Sequence, residues 1–165
     1  AYPEMHPQAA TPNADLQALA AKAGAGANSA ITQYFYNVDA YFRLVDEAQA
    51  MGLTLPIVPG ILPIINSAQL IRFSDACGAE IPRWLRLRLH AFDDDSAAIR
   101  AFGLDVVTDL CKRLLAGGAP GMHFYTMNQS APTLEICRRL GLLPSGSAAG
   151  NGQSADQRTL AEAGT

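Results

Sequence analysis

The feature that most narrows the folds open to this chain is an alternation. Short apolar runs rich in β-branched and aromatic residues are each followed by a longer stretch whose apolar residues recur at helical spacing. Strands separated by amphipathic helices cannot pair as hairpins; a helix crossing one sheet face returns the chain so that the next strand starts in the same direction. The pattern therefore specifies βα units around a parallel sheet.

Three units can be traced. Ala30 to Tyr36 reads as a strand, entered from a Gly-Ala-Gly-Ala-Asn turn that stops a first helix of about Asn13 to Ala23. Val38 to Met51 is its helix, with Val38, Tyr41, Phe42, Val45 and Ala48 on one face, Asn37 as N-cap and Gly52 past its end. Leu53 to Val58 is the second strand, ended by Pro59-Gly60, and a helix from about Ser67 to Cys77 follows the segment ILPIIN. Pro82 to His90 alternates Leu85, Leu87 and Leu89 with arginines, which also suits a strand; Pro82 at a first turn tips the reading to helix. A long amphipathic helix spans Asp95 to Ala116 on the stripe Ile99, Phe102, Val106, Leu110 and Leu114. It leads through Gly117-Gly118 into the third strand, Met122 to Met127, and a last helix of Ala131 to Leu140 capped by Ser130.

Composition bounds the function classes. With 49% hydrophobic and 16% charged residues the chain can build one core, and a net charge of −3 supplies no field for gripping nucleic acid or anionic lipid. Cys77, Cys111 and Cys137 are odd in number and lack a C-x-x-C pair, which fits neither a disulfide framework nor a zinc site and points to a reducing compartment. No apolar run reaches the roughly 18 residues of a membrane span, and AYPEMHPQ lacks the regions of a secretory signal. The expectation is a soluble, cytoplasmic protein. Opening on Ala1 and then Tyr2 and two prolines reads as a strand entered near its C-terminal end, hence a truncated chain. Residues 144–165 contain one aliphatic side chain larger than Ala, Leu160, and are expected to be a disordered tail with at most a frayed helical turn; residues 1–143 form the folded part.

In a parallel βα architecture, ligands bind where strand C-terminal ends and the following loops converge. That rule selects Tyr2 to His6, Gln33 to Tyr36, Pro59 to Asn66 and Tyr125 to Gln129. Gln33 stands where a strand carrying Ile31 and Phe35 on the same face would ordinarily place an apolar residue. A primary amide there wants partners on its donor and acceptor sides, from a heterocycle or, equally, from neighbouring backbone or water. Tyr2 and His6 lie in a loop stiffened by prolines, suited to hold a ring against a planar cofactor or simply to fill the rim. Asp93, Asp94 and Asp95 suggest a hard cation, but acidic residues just before a helix more simply cap it, and neighbouring His90 does not alter that. No metal site is read, and His123 is assigned to packing. There is no G-x-S-x-G elbow, P-loop, H-E-x-x-H or G-x-G-x-x-G after a strand; GAGAN precedes a strand and is no phosphate loop.

Four blocks in order, AYPEMHPQA, GANSAITQYFYNVDAYFRLVDEA, LPIVPGILPI and HFYTMN, resemble the methylenetetrahydrofolate reductases, over residues 1 to about 143. The resemblance implies an α/β fold: the C-terminal part of a (β/α)8 TIM barrel, incomplete, with parallel strands. It implies FAD at the rim and reduction of 5,10-methylenetetrahydrofolate to 5-methyltetrahydrofolate with NADH or NADPH, the reductant and folate using the flavin face in turn, in a homo-oligomer. Position by position it implies that Tyr2 lies against the flavin with His6 beside it, and that Asp15 and Lys22 contact the ribose, pyrophosphate or adenine of FAD. Gln33 then meets the pterin, and also the nicotinamide, while Gln69 and Phe73 lie on the substrate side. Ala18 and Ala21 stand where Asn and Arg are common, and Gln129 where a substrate-contacting Arg is common. No catalytic residue is expected in this chain, because the general-acid glutamate, and an aspartate that tunes flavin and folate, belong to the missing first four strands. The isolated fragment is then expected to be inactive. A second reading, from a different class, is a non-enzymatic half barrel that pairs with itself or another chain through open sheet edges, since a barrel needs about 250 residues.

Overall fold

The computed structural model describes residues 1–143; the expectation for 144–165 lies outside the described residues. A first helix, α1 (Pro12–Gly24), precedes strand β1 (Ala30–Tyr34), helix α2 (Val38–Ala50) and strand β2 (Ile57–Ile61). Helices α3 (Ser67–Cys77), α4 (Arg83–Ala91) and α5 (Ser96–Ala116) follow, then strand β3 (His123–Phe124) and helix α6 (Ser130–Arg139). The strands form one sheet in the order β1-β2-β3, and both pairs are parallel. The expected α/β fold with an incomplete parallel sheet is what the chain adopts.

Four of the helices begin where a side chain supplies a cap, while α4 starts after Pro82 without one. Thr11 accepts from the Ala14 N–H at α1, Asn37 from Asp39 at α2, Asn66 from Gln69 at α3, and Asp95 from both Ala97 and Ala98 at α5. The α6 cap departs from expectation: Ser130 is already helical, and Gln129 holds the cap position without a side-chain bond. In α4 the leucines sort by helical rather than strand spacing, Leu85 and Leu89 fully buried and Leu87 59% exposed.

One sheet face is covered by α2 and α5. Phe35 stacks on Tyr41 with centroids 5.7 Å apart, and the Tyr41 hydroxyl donates to the Ile57 carbonyl at 2.8 Å, tying α2 to β2. Ile57, Pro59, Ile61, Val107, Cys111 and Leu114 complete this core. Each large apolar side chain so buried contributes about 1.5–3 kcal/mol. On α5 the buried stripe is rotated from the expected one: Gly103 and Val107 are buried, whereas Phe102 and Val106 are only half-buried. The cause is a close approach, since a Cβ on Gly103 would collide with the backbone and side chain of Ile64. The other sheet face is open; Ile31, which pairs with Val58, is 46% exposed.

Two strand boundaries are corrected. β2 does not end at Pro59-Gly60 but starts four residues later than expected and runs through them. The missing N–H of Pro59 costs no ladder bond, because it faces the side on which β3 begins only opposite Gly60. β3 is shorter than Met122 to Met127, because Met127 and Asn128 turn the chain into the left-handed region at φ 49° and 60°.

Candidate cofactor and substrate rim

The N-terminal segment enters as a parallel neighbour of β1. The Ala1 nitrogen donates to the Ile31 carbonyl at 3.1 Å and the Ala1 carbonyl accepts the Gln33 N–H at 2.8 Å. This is the bond pattern of one residue in a parallel ladder. Tyr2 therefore leaves the sheet at the level of Gln33.

At that level β1 bulges. Ile31 pairs with Val58 but Tyr34 with Gly60, so β1 carries one extra residue. The fully buried Thr32 fills the gap: its hydroxyl accepts the Gly60 N–H at 2.9 Å and donates to the Gln33 carbonyl at 2.8 Å. The Gln33 side chain is half-buried, and its Oε1 accepts the Tyr34 N–H at 3.0 Å, so its acceptor side is met by backbone. Among the described residues its amide nitrogen has no partner and is free for a ligand.

Beside Gln33, the Tyr2 and His6 rings meet edge to face at 4.6 Å. The His6 backbone N–H donates to Asp15 Oδ2 at 2.9 Å, which anchors the loop to α1, and the His6 Nδ1 accepts the Gln8 N–H at 3.1 Å. A neutral His6 therefore carries its proton on Nε2. Tyr2, Asp15 and Lys22 line one cavity of about 230 Å³, together with Glu4, Arg43 and Glu47. Burial raises the Glu4 carboxyl above its ordinary value, opposed by the Glu80 N–H it accepts; its Oε1 is buried without a partner. Lys22 makes no ion pair among the described residues. An aromatic face, a carboxylate and an unpaired cation suit the ring, sugar hydroxyls and phosphates of a dinucleotide cofactor such as FAD.

Across the rim, Gln69 and Phe73 line a small cleft of about 20 Å³ with Asn66, Tyr125 and Met127. Tyr125 reaches over Gly60 and donates to the Thr32 carbonyl at 3.0 Å. A Cβ on Gly60 would collide with that carbonyl and with the Tyr125 ring, so only glycine lets this strut cross β2. The Tyr34 hydroxyl lies 3.0 Å from Ser74 Oγ and accepts from Cys77 Sγ at 3.5 Å. Burial first, then the Cys77 contact, hold it far above a normal phenol, so it stays protonated.

Gln129 is exposed, outside the cleft-lining set, with its N–H donating to the Thr126 carbonyl. Ala18 and Ala21 are exposed on α1. Asp95 is the α5 cap, Asp93 and Asp94 are exposed, and among the described residues no three His, Cys, Asp or Glu side chains gather as a metal set. His123 packs edge-on against Tyr125 at 4.8 Å. Thr32 and Ser74 fall outside the segments that the sequence selects for the rim, while Tyr34 and Tyr125 fall inside them but carry no hydrogen-bonding role legible in the sequence. A bulge leaves no periodic mark, and a tyrosine reads as apolar until its hydroxyl finds a partner.

A parallel βα wall whose strand ends and following loops meet at one rim is the architecture of the (β/α)-barrel class. The chain belongs to the methylenetetrahydrofolate reductase family, whose sequence model matches residues 1–141. It is 40% identical to the 5,10-methylenetetrahydrofolate reductases of Escherichia coli and Salmonella typhimurium, the match covering 87% of this chain and 49% of each of those proteins. It is 39% identical to a probable methylenetetrahydrofolate reductase (NADH) of Oryza sativa, over 86% of this chain and 25% of that protein. The chain thus spans about half the length of the bacterial relatives. A Clostridium thermocellum protein whose structure is described as binding two copies of 5-methyl-5,6,7,8-tetrahydrofolic acid shares the fold, with TM-score 0.55 and 20% identity over 79% of this chain and 49% of that one.

Proposed function

We propose that this chain is part of the rim of a cytoplasmic, homo-oligomeric, flavin-dependent reductase that converts 5,10-methylenetetrahydrofolate to 5-methyltetrahydrofolate with electrons from NADH or NADPH. The observation that carries the reading is the position of Gln33. Its backbone is bonded to Ala1 beside Tyr2, and the next residue is bonded to α3 beside Phe73, which ties this one strand position to a residue of the cavity on one side and to the helix of the cleft on the other.

In this reading Tyr2, His6, Asp15 and Lys22 hold FAD, which when bound accepts and returns the hydride. Tyr2 orients the ring face, with His6 backing it edge-on. Lys22 offsets phosphate charge as a point cation. The free Gln33 amide nitrogen donates to the pterin, Phe73 offers a ring to stack on the aminobenzoate, and Gln69 and Gln129 offer neutral polar contacts to the rest of the folate. The proton that completes the reduction comes from an acid outside this chain.

Expression of the full reading frame that encodes these residues tests the proposal. The expected product retains flavin absorbance through gel filtration, reduces menadione with NAD(P)H and oxidises NAD(P)H when methylenetetrahydrofolate is supplied. A discrete, colourless dimer without either activity would overturn it in favour of a non-enzymatic half barrel.

A further inference from the structure

Helix α3 carries both substrate-side residues, Gln69 and Phe73, yet it is lightly attached. Among its residues only Leu70 and Ser74 are buried, and it forms no extensive packing pair with another helix or strand of the described chain. Leu70, with the half-buried Ile71, Phe73 and Cys77 packed on the core, supplies apolar burial, which is non-directional and does not fix where along the rim the helix sits. Position has to come from directional bonds. The one buried side-chain bond that reaches α3 from the sheet is Tyr34 to Ser74, 3.0 Å between residues 5% and 3% exposed.

The chain positions on either side of that bond give it its consequence. Tyr34 follows Gln33 directly, and its N–H holds the Gln33 Oε1. Ser74 follows Phe73 directly. Cys77, one turn further along α3, places its thiol 3.5 Å from the same hydroxyl, so Tyr34 grips two successive turns of one helix face. One phenol therefore sets the separation between the Gln33 amide and the Phe73 ring.

We propose that Tyr34 is a positioning residue for the folate site, a latch whose hydroxyl docks α3 on β1 and holds Phe73 and Gln69 in register with Gln33. The inference rests on the folate reading above for its effect on substrate, but the latch itself is independent of it. A phenylalanine at 34 keeps the ring and its edge-on contacts with Tyr36 and Tyr125, at 6.1 and 6.4 Å, and removes only the hydroxyl.

Two measurements separate the latch from the function. In the 165-residue chain, hydrogen exchange of residues 67–77 should speed up about five- to tenfold in Tyr34→Phe and in Ser74→Ala, the loss of one neutral hydrogen bond. Exchange in β1 and β2 should be unchanged, and the double variant should be no faster than Tyr34→Phe, which already removes the Ser74 bond. Unchanged exchange in α3, or additive singles, overturns the latch whatever the protein's activity. In the full reading frame, Tyr34→Phe should raise the KM for methylenetetrahydrofolate about five- to tenfold, while kcat for menadione reduction at saturating NAD(P)H changes less than about twofold. Faster exchange in α3 with an unchanged folate KM overturns the positioning role. An inactive wild type would instead remove the folate reading and leave the exchange result standing.

Discussion

The Thr32 hydroxyl accepts the backbone N–H of Gly60 at 2.9 Å, replacing a main-chain partner in the ladder between β1 and β2. A side chain thus completes the sheet at the residue before Gln33, and the extra residue it allows turns the strand end toward the rim. Thr32→Val keeps the volume but leaves the buried Gly60 N–H without its acceptor and the Gln33 carbonyl without the hydroxyl that donates to it. The expected cost is about 1–3 kcal/mol of unfolding free energy, read from urea denaturation, with faster amide exchange at Gly60. A loss below about 0.5 kcal/mol would show that the bulge stands without the hydroxyl.

Glu4 ties stability to pH. Burial raises its carboxyl in the folded chain above the ordinary 4.5, so the folded state holds this proton more tightly than the unfolded state. Below 4.5 both states are protonated and the carboxyl carries no penalty. Stability is lost as pH rises from 4.5 through the raised folded value, and the deficit then stays constant. Glu4→Gln keeps an acceptor for the Glu80 N–H without the charge. Its denaturation midpoint should equal the wild type's near pH 4 and exceed it at pH 7; a gap independent of pH would refute the assignment.

At the start of α5, Asp95 and its two acidic neighbours should separate sharply. Asp95→Ala removes the acceptor for the Ala97 and Ala98 N–H groups and should cost about 1 kcal/mol. Asp94→Ala and Asp93→Asn, the second chosen because Asn tolerates the φ of 49° at that position, should stay within about 0.5 kcal/mol, both side chains being exposed. Calorimetry with and without millimolar Mg²⁺ or Ca²⁺ should give the same midpoint; a cation-dependent rise lost in Asp94→Ala would restore a metal reading.

Gln33→Leu tests the amide at the rim. It keeps the size of the side chain and removes both the bond to the Tyr34 N–H and the free donor. In the full reading frame the expected result is a roughly tenfold or greater rise in folate KM, the loss of one or two hydrogen bonds to substrate. Flavin content should be unchanged, since Gln33 does not line the cavity of Tyr2, Asp15 and Lys22. Loss of flavin without a change in folate KM would move Gln33 from the substrate side to the cofactor side.

Periodicity and capping chemistry, both local, sufficed for much of the fold. The alternation of apolar runs implied parallel βα units, and Asn37 and Asp95 marked where their helices begin, because a side chain three residues or fewer from a free N–H needs no distant partner. The four sequence blocks carried the family. Other features were decided only when distant segments met. Pro59-Gly60 looks like a strand end until β3 is seen to start beyond the proline. The stripe of α5 turns on Gly103 touching Ile64, and the bulge on Thr32 finding Gly60. Tyr34 and Ser74 stand 40 residues apart in sequence and 3.0 Å apart in space. Sequence spacing encodes contacts within a turn or a strand; a hydrogen bond between segments is set by the packing that brings them together, and no local pattern records it.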